Sequence, residues 1–67
     1  MKPLNDYIDR IGGAELARRL GVSTGLVNHW RRGRRRPSPA LARRLETLSG
    51  GELTREQLRP DVFGDAA

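Results

Sequence analysis

Residues 13–32 read GAELARRLGVSTGLVNHWRR, and the spacing of small, apolar and basic residues in that stretch decides the fold. Leu16, Ala17 and Leu20 share one face of a helix expected over 14–20, with Glu15, Arg18 and Arg19 on the other. Gly21 follows where the chain must turn sharply, and glycine takes positive φ without a Cβ penalty. Ser23 is a good N-cap for a further helix over 24–32. Val22 and Val27 stand at the N′ and N4 positions, the spacing of a hydrophobic staple across that start. Val27 and Trp30 then point inward, Leu26 lies at the edge of the apolar stripe, and Gly33 ends the segment. Two short amphipathic helices meeting at a glycine, with the small Ala17 where they cross, satisfy the requirements of a helix-turn-helix. A plain helical hairpin shares the periodicity but leaves the arginines that follow without a role.

Upstream, PLNDYIDRI over 3–11 carries Leu4, Ile8 and Ile11 on one face with Tyr7 beside it, and Pro3 suits a first helical turn. Gly12-Gly13 ends that helix. Downstream, RRRP over 34–37 is a basic loop, and Ser38-Pro39 reads as an N-cap followed by the first residue of a fourth helix. Leu41, Ala42, Leu45 and Leu48 form its apolar stripe, to about Ser49, and Gly50-Gly51 stops it. Thr54 and Gln57 match a capping box, and Leu53 and Leu58 match a staple, so one helical turn is expected over 55–58. Pro60 prevents its continuation. Val62 and Phe63 are the last apolar residues; they fit either the intramolecular core or, with the fourth helix, a dimer surface.

The fold class expected is all-α, a compact helix-turn-helix domain of four to five helices over 1–63 with a flexible tail over 64–67. At 67 residues the chain holds one domain at most. It has no cysteine, so neither a disulfide nor a thiolate metal site is available, and no cofactor or metal is expected. No apolar run approaches the roughly 20 residues of a membrane span, and MKPLNDYIDR lacks the apolar stretch of a signal peptide. A cytoplasmic protein without a membrane partner is therefore expected, associated with the nucleoid when bound to DNA.

Net charge is +5, and its distribution matters more than its size. Seven arginines stand at 31, 32, 34, 35, 36, 43 and 44, and every acidic residue lies outside 16–45. A reading helix followed by a basic loop suits a polyanionic duplex. The outer face of the helix over 24–32 holds Ser23, Thr24, Gly25, Asn28, His29 and Arg32, the candidate base-reading residues. Asn28 can pair bidentately with adenine, Arg32 can fork onto guanine, and Thr24 can bond a base or touch a thymine methyl. His29 can donate to a base or a phosphate. Gly25 has no side chain to read with and permits close approach of the backbone. Arg31, Arg34, Arg35 and Arg36, with Arg18 or Arg19, are assigned to phosphate, as is the helix start at Ser38. Six neutralised phosphates give a log K against log salt slope of roughly −5. Arg43 and Arg44 fit a solvated surface or a pair with Glu46 or a neighbour.

GAELARRLGVSTGLVNHWRRGRRRPSPALARRLETLSGG followed by LTREQLRPDVFG resembles the small Cro-like repressors and YdaS-type antitoxins of phages and prophages. The Gly-Gly opening, the RLGV turn, a recognition helix ending in tryptophan, the basic proline-containing loop and the LRPD tail carry the resemblance, over about residues 4–64. It implies a lambda-repressor-like domain and a bacterial or phage transcriptional regulator. Members often carry glutamines early in the recognition helix, where this chain has Thr24 and Gly25.

The leading expectation is a sequence-specific repressor that binds double-stranded DNA at a pseudo-palindromic operator, as a homodimer at least on DNA. The alternative is an antitoxin whose partner is a toxin protein and which autoregulates its operon. An enzyme is not expected, since the chain has one histidine, no cysteine and no glycine-rich phosphate loop between a strand and a helix. Single-strand readers expose several aromatics for stacking, whereas Trp30 is needed in the core here.

Overall fold

The computed structural model describes residues 2–64, and within them every regular element is helical. They run α1 (Lys2–Ile11), α2 (Gly13–Leu20), α3 (Thr24–Arg31), α4 (Pro39–Leu48), α5 (Arg55–Leu58) and α6 (Pro60–Phe63). The helices α1–α3 and α4–α6 pack as two units divided between Arg36 and Pro37. No helix among the described residues is long and apolar enough to cross a membrane.

In the first unit α2 packs on α3, and α1 packs on both. Its core is the set that helical periodicity marks: Leu4, Tyr7 and Ile8 of α1, Leu16, Ala17 and Leu20 of α2, and Val27 and Trp30 of α3. The turn between α2 and α3 follows from Gly21, at φ 72°. The Gly21 N–H donates to Arg18 O at 3.3 Å and the Val22 N–H to Ala17 O at 3.0 Å. This pair of bonds is the Schellman arrangement, which satisfies carbonyls a helix end otherwise leaves open. The same pair recurs after α3, from Gly33 to Trp30 O and Arg34 to His29 O, and after α4, from Gly50 to Thr47 O and Gly51 to Glu46 O.

In the second unit Ser38 caps α4, its Oγ accepting the Leu41 N–H at 3.3 Å. Ala42, Leu45, Leu53 and Leu58 are buried. Ser49 organises the turn after α4: its Oγ accepts the Leu53 N–H at 2.9 Å and lies 3.2 Å from Glu46 O. The capping box of α5 is complete, with Gln57 N–H donating to Thr54 Oγ1 at 3.1 Å and Thr54 N–H to Gln57 Oε1 at 3.2 Å.

Pro60 ends α5 as expected and also starts the additional turn α6, because proline loses nothing at a first helical position. Gly64 closes that turn; a Cβ there would collide with the Pro60 carbonyl. Residues 65–67 of the expected flexible tail lie outside the described residues. Val62 is 49% exposed. Phe63 is half-buried, with the Arg43 and Arg55 guanidiniums 5.1 and 5.8 Å from its ring centre. Glu46 takes Arg55 at 2.9 Å, so the Arg43–Glu46 pair considered from sequence is replaced by Arg43 stacked on Phe63.

Candidate nucleic-acid interface

Helix α3 has one dry side and one wet side. Val27 and Trp30 are 0% and 2% exposed, which fixes its rotation on the first unit. Thr24, Gly25, Asn28, His29, Arg31 and Arg32 are thereby left exposed. Residues 24, 28 and 32 and residues 25 and 29 are spaced by four, so they form adjacent rows on the wet side. Ser23 is exposed at the helix start, and its Oγ accepts the Leu26 N–H at 3.1 Å. The hydroxyl oxygen is therefore engaged in the cap, and the O–H remains as a donor. Asn28 leans toward the start of α2: a Cβ added at Gly13 would come 3.8 Å from its Oδ1.

The basic loop folds back on the last turn of α3. His29 O accepts from Arg34 N at 2.9 Å and from Arg35 N at 3.4 Å, which holds that loop against the end of the helix. Arg34, Arg35 and Arg36 are all exposed, as is Arg32. Among the described residues, no carboxylate partners Arg32, Arg34 or Arg35.

Arg18, Arg19 and Arg31, which the sequence reading assigns to phosphate, each hold a carboxylate in this structure. Glu15 bridges Arg18 and Arg19, accepting from Arg19 Nε at 2.8 Å and from Arg18 Nη2 at 2.5 Å. Arg31 grips Asp9 with both prongs, Nε to Oδ1 at 2.7 Å and Nη2 to Oδ2 at 3.1 Å. The Glu15 bridge is local, at helical spacings of three and four. The Asp9–Arg31 pair spans 22 residues and exists only because α1 and α3 pack together. It ties the last turn of α3 to α1. All these groups are partly exposed, so water screens the pairs and each contributes little to stability. Ser38 lies in the second unit, where its side chain serves as a cap.

The Arg31 hydrogen bond holds the Asp9 carboxyl below its ordinary range, with the Arg31 charge adding to the effect against partial desolvation. Bonds from Arg18 and then Arg19 do the same to Glu15. A carboxyl whose pKa is depressed on folding stabilises the fold above its unfolded pKa, and that contribution is lost as pH falls through its folded pKa. Asp9→Asn is therefore expected to melt below the parent at neutral pH. Thermal melts across an acid titration should show the difference shrinking once the pH drops under the ordinary aspartate range. A gap that persists at the acid end would show that Asp9 acts through something other than its charge.

Among the described residues no group of three His, Cys, Asp or Glu side chains is placed to hold a metal ion.

A family model described as bacterial toxin YdaS matches residues 4–67. The chain is similar to a prophage transcriptional regulatory protein of Escherichia coli K12, 32% identical over 63 residues, covering 94% of this chain and 96% of that protein. It is also similar to regulatory protein Cro of Pseudomonas phage D3, 39% identical over 46 residues, covering 69% of this chain and 63% of that one. YdaS of Escherichia coli K12 is 39% identical over 51 residues, 76% of this chain and 52% of that one. The chain thus spans nearly all of the first relative and less than two thirds of the other two. No solved structure matches it.

Proposed function

The chain belongs to the YdaS family, and we propose that it is a sequence-specific DNA-binding transcriptional regulator, a Cro-like repressor that lays α3 in the major groove. One observation carries this reading: the wet side of α3 presents Thr24, Asn28, His29 and Arg32 in neighbouring rows, and Arg34 and Arg35 stand at its end with no carboxylate partner among the described residues. The rows supply donors and acceptors for base edges, and the loop supplies charge for the phosphates that flank them. The relatives named as a prophage transcriptional regulatory protein and as Cro support the same reading. Burial of aromatics speaks against a single-strand reader: Tyr7 and Trp30 are 5% and 2% exposed, and Phe63 lies under two arginines.

A single α3 meets few base pairs. Two copies on half-sites one helical turn apart double the number read, so a dimer on a pseudo-palindromic operator is the expected working form. Selection of bound duplexes from a random pool, at stated salt, should return a palindromic consensus; a pool that stays random would reject the reading.

Salt dependence tests the phosphate assignment separately. If Arg34 and Arg35 alone take phosphates, log K falls with log salt at a slope of about −2 per subunit. Recruiting Arg36, and drawing Arg18, Arg19 and Arg31 away from their carboxylates, steepens it toward about −5. A flat response would remove the loop from the interface.

A further inference from the structure

Gly25 is costly for the helix and is not required by the protein's own interior. It is the second residue of α3, exposed, and outside the set of positive-φ glycines at 12, 21, 33, 50 and 51. A Cβ built there would meet only Ser23 Oγ, at 3.8 Å, an ordinary van der Waals distance. Five of the other glycines have positive φ and Gly64 lies against the Pro60 carbonyl; Gly13 is the other with room for a Cβ, which would meet Val27 and Asn28 at 3.8 Å across the α2–α3 junction. Glycine in a helix loses more backbone entropy on folding than alanine, so a free choice on stability would favour alanine at 25.

The position sits beside Thr24 and one turn before Asn28 and His29, on the wet side of the helix. An α-carbon without a Cβ lets the backbone of residues 24–26 come nearer to an opposing surface than any other residue allows. We propose that Gly25 is a specificity position that acts by lacking a side chain: it is the point where the α3 backbone lies against a base edge in the groove. This rests on the DNA-reading function proposed above and adds to it a steric filter. The neighbouring polar residues reach their bases only when the helix is seated to that depth. Any group at 25 lifts the helix off, lengthening the contacts of Thr24, Asn28 and His29 together.

The test is Gly25→Ala, with Gly25→Ser beside it, measured on the operator selected by the parent and on an unrelated duplex at the same salt. Gly25→Ala should melt at or a few degrees above the parent, because helix propensity improves and nothing is crowded. Affinity for the selected operator should fall about tenfold or more for both variants, while affinity for the unrelated duplex holds. Parent-like operator affinity in Gly25→Ala would overturn the inference and leave the DNA-reading function standing. A lowered melting temperature would overturn it too, by showing an internal need for glycine. Failure of the parent to select any sequence would instead reject the reading on which the inference rests.

Discussion

Trp30→Ala removes most or all of the folded population. Truncating a buried aromatic costs about 3–5 kcal/mol, the lost transfer energy together with the cavity left behind. Domains are stable by about 0.05–0.15 kcal/mol per residue, so a chain of this length has only about 3–10 kcal/mol to lose. Trp30 is the largest fully buried side chain, 2% exposed, on the helix that packs against both α1 and α2. A urea or thermal melt followed by circular dichroism reads the loss, since the alanine variant has no tryptophan fluorescence. A parent-like melt would show that Trp30 is not the centre of this core. Trp30→Phe gives a sharper form of the test. The indole Nε1 is buried with no acceptor among the described residues, and an unsatisfied buried donor costs about 1–3 kcal/mol. Phenylalanine removes that donor while keeping an aromatic ring, so it should recover much of what alanine loses. Equal losses in the two variants would show that a phenyl ring does not refill this site and that relief of the unpaired donor does not offset the cavity.

The parts of this fold that were legible in the sequence are those governed by short spacings. The cap of Ser23 on α3, the stripe of Leu16, Ala17 and Leu20, and the capping box of Thr54 and Gln57 are each set within a few residues, and local pattern reads them directly. The helix-ending glycines were legible for the same reason, although their shared Schellman bonds need backbone geometry to be seen. What escaped was whatever depends on how separate elements pack. The Asp9–Arg31 pair joins residues 22 apart, and nothing in either local pattern says that they meet. The stacking of Arg43 and Arg55 on Phe63 likewise depends on α6, a turn hidden because Pro60 reads as a stop as readily as a start. For the site, the exposed set on α3 followed once Val27 and Trp30 were placed inside. Which arginines already hold carboxylates did not follow. The signal for the Glu15 bridge was present, at helical spacings of three and four, and was outweighed by the run of positive charge.

That distinction between paired and unpartnered cations shapes the largest expected effect on binding, from Asn28→Ala and Arg32→Ala. Both residues are exposed, and neither side chain supports the core, so both variants should melt like the parent. Each bidentate base contact is worth about 1–3 kcal/mol of discrimination, so each single variant should relax preference at its own base pair. The double variant should lose roughly the sum on the selected operator and little on an unrelated duplex, collapsing the ratio between the two. Arg34→Ala/Arg35→Ala should do the opposite: it weakens binding to every sequence alike and makes the salt slope shallower, by about 2 at most. The two double variants therefore separate reading from positioning in one set of titrations. If Asn28→Ala/Arg32→Ala weakens selected and unrelated duplexes equally, α3 touches only the backbone of the DNA. Specificity must then come from duplex shape and deformability, to which polar rows on a helix contribute nothing.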